Sequence, residues 1–392
     1  MRKILAIILC FVSLLIVFNS SSEVVFAEET NEDSLEEQLS DEVQAKLNEI
    51  DFSELDELIT EDLVFTLDGN QNFQSLVEGI ISGNIALDGE TLFGYVFTNI
   101  KNGFLNIFHG LAVVFVLAVL ATIFEAMSLN DETKKIIRFV ISSLILLILV
   151  TSAVSIISSS VESVERIQNQ IDAIFPILIP IVSLIGGGAT VNVINPSATL
   201  LSYVISNIFS KVLLPIVLFV ITITVISGLN TTDRFKKLKA FLVSLFKIII
   251  AISGTIFIFT LTTSGLISSV TDTLTIRATR YSIKNYIPYL GGYISDGISL
   301  AKLSFILIKN GIGVGAMLVL GGIVIAPIVK ILVFILSLKF CASLIEIAGG
   351  DQLSSIVLGF ANTFKMLLAI ILGISMMLIL NLVFIIGVLN VI

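Results

Sequence analysis

Apolar and polar positions in this chain come in long blocks, not in fine alternation, and the blocks have the length of helices. Runs dominated by Ile, Leu, Val, Phe and Ala fill residues 104–124, 139–158, 212–229, 240–263, 311–338 and 366–390. Each reaches the ~18–20 residues that carry a helix across a bilayer. Short polar connectors separate them, among them "DETKKIIR" (131–138) and "DRFKKLK" (233–239). The pattern predicts an all-α, polytopic membrane protein with about six spanning helices.

Two segments depart from it. Residues 175–190, "FPILIPIVSLIGGGAT", are apolar but short and hold Pro176, Pro180 and three glycines. Residues 286–308 hold Pro288, Gly291, Gly292, Asp296, Gly297 and Lys302. Non-helical backbone at membrane depth is tolerated only where protein buries it or water reaches it. Both are therefore read as Pro/Gly-broken segments, either surface loops or re-entrant elements.

The N-terminus has a different pattern. Arg2 and Lys3 precede an apolar stretch, 4–18, and "VFA" ending at Ala27 offers small residues for cleavage, so 1–27 reads as a signal peptide. An uncleaved anchor is the alternative. Residues 28–62 hold fifteen acidic side chains against Lys46. Leu35, Leu39, Val43, Leu47 and Ile50 recur at helical spacing there, predicting an amphipathic helix with a solvated acidic face. A second amphipathic stretch follows from about 73 to 103, so 28–103 forms an acidic, helical, extracytoplasmic region and 104–392 a polytopic domain.

Cytoplasmic loops are enriched in Lys and Arg. With 28–103 outside, the first span enters the cell and 131–138 lies inside. The basic 233–239 connector also falls inside if 175–190 does not cross. The segment 276–297 then lies at the outer face, where its basic residues are unexpected.

A shift of 112 residues places Pro176 on Pro288 and Pro215 on Pro327, with "PIV" following both members of the second pair. The chain has only six prolines, so the coincidence points to an internal repeat, 172–265 and 284–390. Transporters often carry such repeats, with broken helices near the repeat interface. Two ordinary Pro-kinked helices would look the same.

Composition narrows function further. The chain of 392 residues is 56% hydrophobic and 14% charged, with a net charge of -9, one His and two Cys. His109, Cys10 and Cys341 lie in apolar segments and read as packed residues. No metal-protease, nucleotide-binding or dinucleotide-binding motif is present, so the sequence indicates neither enzyme nor cofactor. Ionisable residues beside broken helices are the best site candidates in a membrane. Here they are Asp272, Arg277, Arg280, Lys284, Asp296 and Lys302. With Pro176, Pro180, Pro288, Gly291 and Gly292 they are candidates for a pathway or gate, against plain interfacial anchoring. Gly311 and Gly315, four apart, would let another helix approach closely, either in an oligomer or within the chain. Pro215 and Pro327 join them as helix-packing candidates.

The stretch Arg277, Arg280, Ile287, Pro288, Gly291, Gly292, Ser295, Asp296, then "IKNGIG" (308–313) and "PIVK" (327–330), resembles the stage III sporulation protein AE family. The resemblance spans roughly residues 75–392 and leaves out the acidic arm. It implies a multi-pass protein of endospore-forming Firmicutes in the mother-cell membrane around the forespore. It implies partners too: the other proteins of the stage III sporulation A operon and, across the gap, stage II sporulation protein Q. Together these make a channel that resembles a secretion apparatus, and family members are described as permease-like. The lipid bilayer is the remaining partner, and nucleic acid is not expected. A stand-alone secondary transporter and a scaffold for soluble rings are the competing readings.

Overall fold

The computed structural model describes residues 32–59, 72–83, 112–124, 127, 130–185, 200–229, 235–286, 291–347 and 350–387, with only the helical backbone described in 264–286 and 291–300. Among the described residues every regular element is helical. In chain order they are α1 (Glu32–Leu47), the single turn α2 (Ser53–Asp56), α3 (Phe73–Ile81) and α4 (Ala112–Phe124). Then come α5 (Asp131–Leu184), α6 (Leu200–Ile208), a π-turn (Phe209–Leu213) and α7 (Leu214–Leu229). The long helices α8 (Lys236–Tyr286), α9 (Gly291–Ile347) and α10 (Asp351–Gly387) complete the series. Five of the helical stretches are long and apolar enough to cross a membrane; α4 is shorter.

The hairpin of α9 and α10 is the centre of the bundle. Phe334 and Phe364 meet edge-on at 4.8 Å across it, and the Gly350 N–H closes the turn on the Ile345 carbonyl at 3.0 Å. α5 packs along this hairpin, and α6 and α7 lie against α10. Gly373 leaves the notch that the fully buried Phe209 fills. Phe209 opens the π-turn, where the Leu214 N–H reaches back five residues to the Phe209 carbonyl. The wider turn comes just before Pro215, which has no N–H to contribute, so the local irregularity and the proline share one place.

The prolines of α5 do not break the chain where the sequence suggests. α5 runs unbroken for 54 residues through Pro176 and Pro180, and the described helix ends at Leu184, just before the glycines. Each proline removes one hydrogen bond from the ladder, while Ile174, Phe175, Leu178 and Val182 are buried in the core and hold the helix in place. Likewise α8 continues to Tyr286 and α9 starts at Gly291. Of the second broken segment, only residues 287–290 fall outside these two described helices.

Candidate functional site

The end of the bundle farthest from the Gly350 turn collects polar side chains inside an apolar core. Lys309 on α9 is fully buried and donates from Nζ to the Ile386 carbonyl at 3.0 Å. That carbonyl belongs to the last described turn of α10, so the bond ties the N-terminal half of α9 to that turn. Gln170 on α5, also fully buried, donates from Nε2 to the Ala316 carbonyl of α9 at 2.6 Å. Its Oε1, the Asn310 Oδ1 and the Ser206 Oγ have no hydrogen-bond partner among the described residues. Ser206 and Asn381 line a cleft of about 10 Å³ with Ile171, Ile374, Met377 and Leu378, enough for about one water. α5, α6, α9 and α10 therefore meet in a polar seam. Such groups inside apolar bundles are costly and mark pathways, gates or fixed registers.

Beside the seam sits the seat of α3. Phe73, Leu76 and Val77 are fully buried, and they lie over Gly311 and Gly315 of α9. A Cβ on Gly311 would stand 2.9 Å from Ile81 Cγ1 and 3.0 Å from Val77 Cγ1; one on Gly315 would stand 3.3 Å from Phe73 Cζ. The glycine face is thus filled from within the chain. Asp56 accepts the Phe73 N–H at 2.6 Å, Gln74 donates to Asn48 at 2.8 Å, and Arg166 of α5 donates to the Leu58 carbonyl at 2.9 Å. Lys46 lies over the Phe305 ring at 4.4 Å. The acidic helices are fastened to this one end. There Ser53 donates its N–H to Asp51 at 3.0 Å, and hydrogen bonding to Ser53 holds the exposed Asp51 carboxyl below the usual range.

The residues predicted from sequence fall in several places. Pro176 and Pro180 are exposed on one face of α5. Pro327 is buried within α9, and Pro215 lies in the first turn of α7. Arg277, Arg280 and Lys284 lie on the backbone of α8, and Gly291, Gly292 and Asp296 in the first two turns of α9; Pro288 lies outside the described residues. Sequence reasoning missed Lys309 and Gln170 as site residues. Lys309 stood inside the quoted "IKNGIG", and a cation one turn before an apolar run was its signal.

Comparison with known proteins agrees with the sequence resemblance. The family model for stage III sporulation protein AE matches residues 71–388. The chain is similar to the stage III sporulation protein AE of Bacillus subtilis (strain 168), with 22% identity over 265 residues, 67% of this chain. The match spans 65% of that relative's length, just under two thirds. No solved structure matches.

Proposed function

The chain belongs to the stage III sporulation protein AE family, and from that premise we propose that it is a non-enzymatic membrane subunit of a channel between mother cell and forespore. Family membership carries the role in sporulation; the channel and its secretion-like partners are the finer reading. The observation that supports it best is the separation of charge between the two ends of the bundle. The acidic α1–α3 region packs on the N-terminal half of α9, by Lys46 on Phe305 and Phe73 on Gly315. The basic connectors approach the opposite end. Lys239 lies 3.7 Å from the position of a Cβ on Gly359, and Thr122 lies by Gly350. With the positive-inside rule, this supports the reading that 28–103 faces the space between the two membranes, where a forespore-membrane partner would meet it. The buried polar seam and the first turns of α9, whose sequence includes Asp296, lie toward that same end. They are the places where a gate would respond to such a partner.

The test is genetic and biochemical. A strain lacking this gene should stall in late forespore gene expression, the intact chain should restore it, and the tagged protein should co-purify with the other operon products. Full late expression in the deletion strain, or solute transport by the purified chain alone in liposomes, would overturn the reading.

A further inference from the structure

Buried hydroxyls in this bundle are commonly satisfied by their own helix. Ser160, Thr224 and Ser375 each donate to the carbonyl four residues back, at 2.6, 2.7 and 2.6 Å. Ser206 on α6 departs from that habit. It is 3% exposed, and its Oγ has no hydrogen-bond partner among the described residues. A buried hydroxyl left in that state carries its full desolvation cost with nothing to offset it. Ser206 lines the cleft of about 10 Å³ between α5, α6 and α10, which has room for about one water. On the α10 side the cleft is lined by Asn381, 1% exposed, whose amide can both donate and accept. A buried water needs about two to four polar partners, and these two side chains begin the set.

The helices hold both side chains in place. Ser206 and Phe209 are three apart on α6 and share a face, and Phe209 is anchored in the notch at Gly373. On α10, Gly373 and the cleft-lining Met377 are four apart and likewise share a face. The π-turn opens at Phe209, and such turns recur at functional sites. Gln170, whose Oε1 also lacks a partner among the described residues, adjoins the cleft-lining Ile171. Calcium or magnesium would need about six oxygens, and no carboxylate lines the cleft.

We propose that this cleft binds one water molecule, which accepts a hydrogen bond from Ser206 Oγ and bonds to the Asn381 side-chain amide. The water joins α6, just before its π-turn, to the central hairpin. The site stands whether or not the chain forms a channel.

The experiment is X-ray radiolysis of the full chain in detergent, with the oxidation of each methionine read by mass spectrometry. Radiolysis of a bound water releases hydroxyl radical in place. Met377 should therefore be oxidised several-fold faster than its neighbour Met376, which is also half-buried but does not line the cleft. Ser206→Ala and Asn381→Leu should each remove that excess, and Ser160→Ala should leave it unchanged. Ser206→Ala should also lower the melting temperature, whereas deleting an unsatisfied hydroxyl from a dry cleft would raise it. Equal oxidation of the two methionines, an excess that survives both cleft variants, or a raised melting temperature in Ser206→Ala would overturn the site. Stabilisation by sodium chloride over choline chloride that is lost in Ser206→Ala would give the cleft to a sodium ion and overturn the water.

Discussion

Adding a side chain at Gly311 should release α3 from the bundle. α3 has nine residues, and a helix that short is marginal in water. Its order rests on the burial of Phe73, Leu76 and Val77, each worth about 1.5–3 kcal/mol when fully removed from water. A Cβ at Gly311 meets Ile81 Cγ1 at 2.9 Å and Val77 Cγ1 at 3.0 Å, closer than such contacts allow. Overpacking of this kind costs about 1–3 kcal/mol, which multiplies the released fraction by roughly 5 to 150, since 1.4 kcal/mol is tenfold. Gly311→Leu should exceed Gly311→Ala. Gly315→Ala should be milder, because its nearest neighbour is at 3.3 Å. Gly321→Ala has nothing within 4 Å and serves as the neutral control. The readout is Val77→Cys in a background without Cys10 and Cys341, labelled with a maleimide in the detergent-solubilised chain. Val77 is fully buried, so labelling should be slow with Gly311 intact and fast in the Gly311→Leu chain. Rapid labelling with Gly311 intact, or continued protection in the Gly311→Leu chain, would refute the seat.

Lys309→Ala should destabilise the protein by about 1.5–3 kcal/mol, the worth of a hydrogen bond to a charged group, seen as a lower melting temperature in detergent. Gln170→Met should leave stability within about 1 kcal/mol, because the Ala316 carbonyl keeps its helical donor and an unsatisfied oxygen is removed. A fall in spore yield at normal abundance would then identify Gln170 as functional. Gly373→Ala would push a Cβ to 2.5 Å from Phe209 Cε1 and should cost about 1–3 kcal/mol, measured by thermal unfolding. Arg277→Ala with Arg280→Ala should block late sporulation without changing abundance in immunoblots, and normal spore counts would dismiss the α8 charge as a gate element.

Helical class and the existence of the long apolar helices were legible because a run of Ile, Leu and Val at these lengths admits few other structures. The glycine pair at 311 and 315 was legible as a packing face, but its occupant was not. α3 is separated from it by more than two hundred residues, and either partner named in advance would have satisfied the spacing. The chain path at Pro176 was misjudged for a physical reason. A proline removes one hydrogen bond and bends a helix, whereas ending it also requires that no core hold the following turns. The burial of Phe175, Leu178 and Val182 supplies that core, and it depends on α9 and α10, which no local window contains. The polar seam was invisible for a related reason. Gln170 sits in the polar stretch "ERIQNQID" (165–172) and Lys309 in a separate apolar run, and only the packing of α5 on the hairpin gathers them.

Hydropathy treats all long apolar helices alike, and their burial separates them. The most apolar window of α8 is 17% buried within the chain, against 67% for α9 and 61% for α10. α8 exposes Ile248, Ile252, Ile256 and Phe259, so its apolar character needs lipid or another subunit to cover it. α9 is apolar chiefly because protein surrounds it. Its 57 residues extend about 86 Å at 1.5 Å per residue, nearly three times a hydrocarbon core of about 30 Å. A large part of α9 therefore stands outside the hydrocarbon, and the wrapping of Phe305, Gly311 and Gly315 by α1 and α3 shows that its N-terminal half is covered by protein. The seam of Lys309, Asn310 and Gln170 lies in that half. A rigid rod joining the α1–α3 end to the basic end would carry a displacement of α3 along its length, since packed helices transmit strain. Release of α3 by Gly311→Leu should accordingly change the end that holds the Gly350 turn as well. Limited proteolysis near Gly350 should accelerate in that variant and remain unchanged in Gly321→Ala, and identical cleavage in both would show that the two ends of the hairpin are independent.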